Sequence, residues 1–424
     1  MTEKNKKLRK PSKRTRMYAI ISAIVAVALV AVLIALIVSS KRGEKQTETE
    51  TTDSAPAEVT TAAAPETKEP ETTESAPETE PEKFPEPTYA HASNIVFTAV
   101  EGETAPQYTN PLTGEELGAD LAGQRPVSVM INNIRTACPQ EGVSQFDIMY
   151  EILAEGGITR LLMLKQDYAS LGVIGSIRSS RKYFIDMSQN YDAIYVHAGG
   201  SEEAYSEIPK RKIDHLDGVR TDSRTGINVT NLCYYRDQWR RTNMGYEHSL
   251  MSTGELIVKG IERYNYRTEI KSGLVQPVQL IDPGYKVELN GESGKYVKMT
   301  YRPAHYPEYE YDEATGKYLR YQFQHEKHVD GTNNEQLAFT NVIILVMKHA
   351  NTGDDKNHIN IQTTGTGKGY YFTGGKYIPI TWEKSDVDGP MKLSDADGNR
   401  LVVNKGKTAI NIISPYMDDN IVIN

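Results

Sequence analysis

The sequence predicts an α+β protein, with a mixed α/β first domain and a β-rich, mainly antiparallel second domain on an N-terminal transmembrane helix and disordered stalk. Three observations predict this arrangement: a long uncharged run, a Thr/Glu/Pro-rich stretch behind it, and short apolar runs beyond, which become almost entirely strand-like in the second half. The predicted segments are a basic cytoplasmic tail (1–16), a transmembrane helix (17–40), a disordered linker (41–91), the α/β domain (92–270) and the β-rich domain (271–424).

The predicted membrane anchor is the run from Met17 to Ser39, which contains no charged residue. A helix that rises about 1.5 Å per residue over this length crosses the roughly 30 Å hydrocarbon layer, so the predicted partner of residues 17–40 is the lipid bilayer. A cleaved signal peptide is the alternative, but signal cores are usually only about 7–15 residues long. Basic residues precede the run, which predicts a cytoplasmic N-terminus and an extracytoplasmic location for the globular domains.

The predicted stalk consists almost throughout of Thr, Glu, Pro, Ala and Ser, and it is strongly acidic. Such a segment buries too little apolar area to offset the entropy lost on ordering, so it is expected to act as an extended spacer. The total charge is −8. The folded part is mildly acidic, which argues against nucleic acid as a partner because phosphates require a basic face. Cys138 and Cys233 are expected to be free thiols, although a disulfide between them is the alternative in an exported protein.

Local patterns predict the elements of the first domain. Residues 125–132 (RPVSVMIN) are predicted to form a strand. Residues 147–155 and 158–166 flank Gly156-Gly157, which predicts a β-hairpin because both turn positions need positive φ; a helix over 147–155 is the alternative. A short helix is predicted over 181–189 and a strand over 192–198, followed by a helix that Ser201 caps.

From about residue 276 the chain consists of short runs rich in β-branched and aromatic residues, separated by turn dipeptides such as Asn290-Gly291 and Asp397-Gly398. Regular turn signals between short strands predict an antiparallel sheet or an open barrel.

Standard catalytic motifs are missing, since the sequence contains no HExxH, GxSxG or CxxC. The run GTGKG (365–369) lacks the first glycine and the Ser/Thr of a phosphate-binding loop and is predicted to be a glycine-rich turn. The ligand-type side chains of His325, His328 and Asp330 do not share one strand face, so a polar loop end is favoured over a metal site. No metal and no cofactor are predicted.

The candidate site lies in the first domain, where charged residues recur at the ends of apolar runs. Arg178-Ser-Ser-Arg181 lies between a predicted strand and a predicted helix, and guanidiniums at a helix start form a plausible anion site. Ser179 or Ser180 is expected to cap that helix. Glu151 and Glu155 are expected to share one strand face, where they either perform acid/base chemistry or pair with the arginines. The ligand-binding candidates are Arg160, Arg178, Arg181, Asp186, His197, Arg236, Asp237 and His248.

Several stretches resemble one known family. They include NPLTGE (110–115), RPVSVMINN (125–133), PQEGVSQFDIMYEILAEGGITRLL (139–162), IGSIRSSRKYFIDM (174–187), YDAIYVHAGGSEEA (191–204), YYRD (234–237), GTGKGYYFTGGKY (365–377) and VVNKGKTAINII (402–413). Over roughly residues 108–415 the chain resembles the YerB family of Gram-positive bacteria. The resemblance implies an exported, membrane-anchored envelope protein with a two-part domain of unknown function. Two positions depart from the family pattern: Cys138 replaces an arginine, and Glu247-His248-Ser249 replaces Pro-His-Asn.

The predicted function is an envelope protein that binds a cell-wall polymer or a membrane-bound wall-synthesis protein. The alternative is an enzyme that acts on a wall glycan or another anionic polymer, with Glu151 or Glu155 as acid/base and Arg178 and Arg181 holding an anion. An enzyme requires these side chains to converge in one cleft, with a perturbed carboxylate. A binding module is instead expected to expose Tyr and Trp on a shallow groove.

Overall fold

A computed structural model of the protein describes residues 84–424. The predicted cytoplasmic tail and transmembrane helix, and most of the predicted stalk, lie outside these residues. Among the helices of residues 84–424, none is both long enough and apolar enough to cross a bilayer.

Strands dominate the described part of the chain, and the helices are few and short. The strands are β1 (Ile95–Ala99), β2 (Val127–Asn133), β3 (Ile148–Leu153), β4 (Thr159–Lys165), β5 (Ile174–Gly175), β6 (Ile194–His197), β7 (His215–Asp217), β8 (Tyr235–Arg236), β9 (Leu250–Ser252), β10 (Gln279–Leu280), β11 (Tyr285–Leu289), β12 (Glu292–Ser293), β13 (Tyr296–Lys298), β14 (Glu308–Asp312), β15 (Lys317–Gln322), β16 (Glu326–Lys327), β17 (Ala338–Phe339), β18 (Asn341–Val346), β19 (His349–Asn351), β20 (Ile359–Ile361), β21 (Gly365–Thr373), β22 (Lys376–Lys384), β23 (Met391–Ser394), β24 (Val402–Val403), β25 (Thr408–Ile413) and β26 (Val422–Ile423). The α-helices are α1 (Lys182–Gln189), α2 (Glu202–Lys210), α3 (Thr230–Cys233), α4 (Gln238–Asn243), α5 (Gly254–Tyr264) and α6 (Pro415–Asp418). The order of these elements confirms the prediction of a mixed α/β first part and a β-rich second part.

One central sheet of eleven strands runs through both predicted domains. Its order is β12-β22-β21-β18-β25-β3-β4-β2-β6-β7, with β23 paired to β22. The two parts of the chain join where β25 pairs in parallel with β3. The boundary near residue 270 stays a prediction, but backbone hydrogen bonds of this sheet cross it.

The hairpin predicted around Gly156-Gly157 is confirmed. Strands β3 and β4 pair antiparallel from Ile148 opposite Leu164 to Leu153 opposite Thr159. Gly156 has φ of 65° and Gly157 has φ of 72°, values that favour glycine because it has no Cβ. The alternative helix over 147–155 is wrong.

Both faces of the central sheet are buried at β2, β3 and β4, which explains why these strands read as nearly continuous apolar runs. On one face, Tyr150 and Leu162 pack in a core that also contains residues of α1 and α2. On the other face, Met149 and Leu161 pack in a second core that contains residues of α5 and of the second sheet. The helix capped by Ser201 is confirmed, since the Ser201 side chain accepts a hydrogen bond from the backbone N–H of Ala204.

A second, six-stranded antiparallel sheet covers part of the central sheet. Its order is β16-β15-β14-β13-β26, and β17 pairs with β15. The side chains of Val297, Tyr309 and Tyr318 from this sheet are fully buried in the second core.

The GTGKG run is not a turn, because it begins strand β21. Two of its glycines lie so close to neighbouring strands that a side chain would not fit. A Cβ on Gly367 would lie 2.4 Å from the Trp382 indole nitrogen, and one on Gly369 would lie 2.4 Å from the backbone oxygen of Ile344. A glycine that makes room for a neighbouring chain in a strand resembles a turn glycine when only the sequence is known.

Candidate functional site

The candidate site lies at the carboxyl ends of the parallel strands β2, β6 and β7. Strand β2 pairs in parallel with β6, and β6 pairs in parallel with β7. The segment that begins at Arg178 fits between the first two, since its N–H donates to Met130 O and its carbonyl accepts from Ala198 N, both at 2.9 Å. Open α/β sheets usually bind ligands beyond the carboxyl ends of their strands, so the predicted anion-binding segment lies at the expected edge.

Arg178 is the predicted site residue with the weakest protein partners. Its side chain is 20% exposed and lies 3.4 Å from the carboxylate of Glu247, which is itself 70% exposed. Within residues 84–424, the buried Nε of Arg178 has no hydrogen-bond partner. The guanidinium therefore retains donors for a ligand.

Arg160 and Arg181 are instead paired with Glu155. Both guanidiniums lie 2.5 Å from Glu155 Oε1. Burial alone would raise the pKa of Glu155, but the two arginines outweigh it and lower that pKa. Burial, together with repulsion from Arg181, lowers the pKa of Arg160 to about 10. These three residues form an ion-pair cluster in which the lowered pKa keeps the Glu155 carboxyl ionised at neutral pH.

The predicted serine cap of α1 is wrong. Helix α1 begins after Arg181, which has an extended backbone and makes no side-chain capping hydrogen bond. The Ser180 hydroxyl is fully buried and accepts a hydrogen bond from the Tyr195 hydroxyl at 2.9 Å. Ser180 therefore ties the loop to β6, so the helix does not supply the capped N-terminus expected for an anion site.

Asp186 and His197 lie inside the protein, away from the surface near Arg178. Asp186 is fully buried, with Arg211 at 2.5 Å and the Thr363 hydroxyl at 2.7 Å. His197 is also fully buried and contacts Gly199 O at 2.8 Å and His215 at 2.9 Å. Both side chains have protein partners that account for their polarity.

Glu151 lies on the opposite face of the sheet from the Glu155 cluster, so the predicted shared strand face is wrong. Strand β3 ends at Leu153, and Glu155 begins a one-turn 3-10 helix, so the alternation of side chains along a strand no longer applies. Glu151 itself is fully buried beneath the second sheet.

A polar network surrounds Glu151. Its carboxylate lies 2.7 Å from Arg320, 2.7 Å from the Thr159 hydroxyl and 3.2 Å from His305. Burial would raise its pKa, but Arg320 and His305 lower the pKa to about 2. A carboxylate that is ionised at neutral pH and shielded from solvent cannot act as an acid on a polymer.

Arg236, Asp237 and His248 do lie beside Arg178. Asp237 caps α4 by accepting a hydrogen bond from Arg240 N at 2.6 Å. His248 Nδ1 accepts from the Asn132 side-chain amide at 2.9 Å, which ties this group to the end of β2. Burial, followed by the charge of Arg178, lowers the pKa of His248.

Exposed aromatic and arginine side chains extend the site beyond the predicted residues. Trp239 is 62% exposed and Tyr246 is 58% exposed. The guanidiniums of Arg236 and Arg241 lie 3.8 and 5.5 Å from the Tyr246 ring centroid. We name this group the arginine–aromatic surface; its members are Arg178, Arg236, Trp239, Arg241 and Tyr246. The signal that sequence reasoning missed is the QWRR run, whose large side chains have no apolar periodicity.

Arg240 anchors α4, which carries this surface. The guanidinium is 2% exposed and donates to the carbonyl oxygens of Ala137 at 2.6 Å, Pro139 at 3.0 Å and His248 at 2.9 Å. The carboxylate of Glu141 lies 3.1 Å away. Because the planar guanidinium of Arg240 binds three carbonyl oxygens from two segments of the chain, it fixes the position of α4.

The histidine–aspartate pattern near residue 328 is part of the folded interior. His328 bonds Arg320 at 2.9 Å and Gln140 at 3.0 Å. The carboxylate of Asp330 accepts from the backbone N–H groups of Gly142 and Ser144 at 2.9 and 2.7 Å. No group of three potential ligands for a metal ion occurs among the residues that the structure describes. Cys138 and Cys233 are free thiols.

Known proteins share this fold and sequence. The chain is similar to a protein of Bacillus subtilis (strain 168) named "Putative lipoprotein YerB", with 28% identity over 323 residues that cover 74% of this chain and 89% of the relative. The crystal structure of YerB protein from Bacillus subtilis matches with a TM-score of 0.60 and 28% identity, and the match covers 74% of this chain and 99% of the solved chain.

The family matches divide the chain in two. Residues 112–267 match the family described as protein of unknown function (DUF3048) N-terminal domain, and residues 297–410 match the corresponding C-terminal domain. Together these matches cover more than half of the chain. The chain therefore belongs to the YerB-like DUF3048 family, with its two-part domain of unknown function.

Proposed function

We propose that this chain is an extracytoplasmic envelope protein, anchored in the membrane by residues 17–40, that binds a cell-wall polymer through the arginine–aromatic surface. The observation that carries the proposal is the exposure of Tyr246 beside Arg236 and Arg241, together with the exposure of Trp239 on the adjoining helix α4. Exposed aromatic patches on soluble domains usually mark binding surfaces.

The position of the carboxylates favours binding over catalysis. Glu151 is enclosed in the interior, while Glu155 pairs with two arginines. The pKa of each is lowered, so neither carboxyl holds a proton to donate at neutral pH. The two groups also lie on different faces of the sheet and do not flank a common cleft.

The proposed location follows from the sequence and from one relative. The uncharged run from Met17 has the length of a membrane-spanning helix, and basic residues precede it. The relative from Bacillus subtilis is named "Putative lipoprotein YerB", and lipoproteins are held at a membrane by a lipid. No cysteine lies at the end of the apolar run of this chain, where a lipid would be attached, so a helix takes the place of the lipid in our proposal.

Protease treatment of intact protoplasts tests the topology. We expect the protease to remove residues 92–424 and to leave residues 4–16 protected by the membrane, because the basic side of the anchor stays in the cytoplasm. Antibodies against the tail and against the globular part detect the two products. Protection of residues 92–424 until the membrane is permeabilised would refute the proposed orientation.

Substitution of Arg178 tests the binding site. We expect Arg178→Ala to weaken sedimentation with purified cell walls by about tenfold or more, because charge-assisted hydrogen bonds contribute about 1.5–3 kcal/mol. The melting temperature should change little, since the only carboxylate partner of Arg178 in the described residues is the exposed Glu247.

The matched control for this test is Arg263→Ala, which removes an exposed arginine from α5. It should alter neither wall binding nor stability. A strongly destabilised Arg178→Ala protein that still binds walls would mean that Arg178 is an internal salt-bridge residue and not a ligand-binding one.

A further inference from the structure

We infer that the polymer bound at the arginine–aromatic surface is an acidic glycan, meaning a chain of sugar rings that carry anionic groups. This inference rests on the proposed function and assigns the chemical class of its ligand. It follows from two properties of the surface: an exposed indole ring on α4, and two arginines held in place by a tyrosine.

Trp239 supplies the ring for stacking. It lies on the short helix α4 and exposes 62% of its surface, whereas the other tryptophan, Trp382, is 3% exposed and donates to Val346 O. Covering an exposed indole is favourable because it removes apolar surface from water. The C–H face of a pyranose is flat and apolar, and it fits such a ring.

Tyr246 supports the two arginines rather than the sugar. Arg236 stacks at 3.8 Å from the ring centroid and also donates to the Tyr246 carbonyl at 2.7 Å, while Arg241 approaches at 5.5 Å. The ring thereby limits the motion of both guanidiniums before a ligand arrives, which reduces the entropy lost on binding.

Both arginines are available to an anion. Neither Arg236 nor Arg241 forms an ion pair with a carboxylate of residues 84–424. Arg178 is a third guanidinium; it pairs weakly with Glu247, the residue after Tyr246. A planar guanidinium presents a fork of donors that matches a carboxylate or a phosphate. Of the acidic neighbours, Asp237 caps α4 and Glu247 pairs weakly with Arg178, so the guanidiniums of Arg236 and Arg241 remain available to an anionic ligand.

The surface suits a glycan better than a protein partner. Protein interfaces bury a central apolar patch, which needs aliphatic as well as aromatic side chains. The exposed large apolar side chains here are Tyr235, Trp239 and Tyr246, with a single aliphatic one, Val219, beside Ser179. A phosphate polymer without rings would satisfy the arginines but would leave the indole uncovered.

The test measures binding of the full extracytoplasmic part to three probes of known chemistry. Polygalacturonate has rings and charge, poly(glycerol phosphate) has charge without rings, and dextran has rings without charge. We expect polygalacturonate to bind most tightly, with an affinity that falls as salt is added. Trp239→Ala should weaken that binding by roughly tenfold, Trp239→Phe should retain most of it, and Arg236→Gln with Arg241→Gln should reduce both the affinity and its salt dependence.

The control is Tyr416→Ala, which removes another exposed ring, at 78% exposure on α6, and should have no effect. Equal binding of poly(glycerol phosphate), insensitive to Trp239→Ala, would overturn the glycan assignment, as would equal binding of dextran. Wall binding that is lost after the wall proteins are digested would point to a protein partner and would also overturn it. Failure to bind intact walls at all would refute the proposed function itself, so the two failures are distinguishable.

Discussion

Arg320→Met is expected to lower the free energy of unfolding by about 3–5 kcal/mol, because it leaves the buried carboxylate of Glu151 without its cation. Both side chains are completely buried, and their closest atoms are 2.7 Å apart. Arg320 belongs to β15 of the second sheet and Glu151 to β3 of the central sheet, so the pair joins the two parts of the chain. Urea unfolding at neutral pH measures the loss.

A double-substitution cycle separates the pair from the packing around it. Glu151→Gln alone leaves the charge of Arg320 unpaired, whereas the double variant leaves neither charge in the interior. We therefore expect the double variant to lose less stability than the sum of the single losses. Additive losses would mean that Glu151 and Arg320 are not coupled. Arg263→Ala, at the surface of α5, serves as the control with an expected change within about 0.5 kcal/mol.

The same pair predicts how stability depends on pH. The pKa of Glu151 falls from 4.5 to about 2 in the folded protein, so its contribution is complete above pH 4.5 and is lost as the pH falls toward 2. Burial also lowers the pKa of His328, so the folded protein keeps this side chain neutral where the unfolded chain binds a proton. The contribution of His328 to stability therefore declines as the pH falls below 6.5. In Glu151→Gln, the free energy of unfolding should fall less steeply below pH 4.5, while the decline below pH 6.5 that His328 causes should remain. An unchanged slope below pH 4.5 would contradict the assignment of that decline to Glu151.

Arg240→Lys is expected to cost about 3 kcal/mol of stability and also to abolish wall binding. Three carbonyl oxygens accept hydrogen bonds from Arg240, and a lysine ammonium cannot reach all of them from one position. Each buried carbonyl left without a donor costs about 1–3 kcal/mol. Because α4 carries Trp239 and Arg241, loss of this anchor should also disorder the arginine–aromatic surface.

Acrylamide quenching of Trp239 fluorescence measures this local effect. Trp382 is buried, so the accessible fraction of the emission reports on Trp239. We expect easier quenching and weaker wall binding in Arg240→Lys at temperatures where the protein remains folded. The matched control is Arg263→Lys, which makes the same change at an exposed arginine of α5 and should leave quenching, wall binding and stability unchanged. Unchanged quenching and binding in Arg240→Lys would show that the surface does not depend on this anchor.

The local elements were largely predictable because their signals are short in range. Paired glycines with positive φ fixed the turn between β3 and β4, and Ser201 capped α2 as predicted. Fully buried strands read as apolar runs, so β2 and β6 were also found. The serine cap of α1 failed because Ser180 bonds to Tyr195, a residue that local pattern does not connect to it.

The grouping of charged residues was not predictable in this way. Period-2 alternation assigns a side chain to one face of a strand, but it does not say which distant residue covers that face. Glu151 meets Arg320 across 169 residues, and Arg178 meets Glu247 across 69. The residues of the predicted site therefore divided into separate groups, of which Glu151, Asp186 and His197 are fully buried.

By itself the sequence determined the family, the hairpin and most of the short elements, because glycines, caps and apolar periodicity act over a few residues. It also supplied the expectation of an anchor and stalk outside residues 84–424. Only the tertiary structure decided that β25 joins β3, that Glu151 is enclosed, and that Trp239 remains exposed. The physical reason is that burial and ion pairing are settled by contacts between segments far apart in the chain, where no local pattern records the partner.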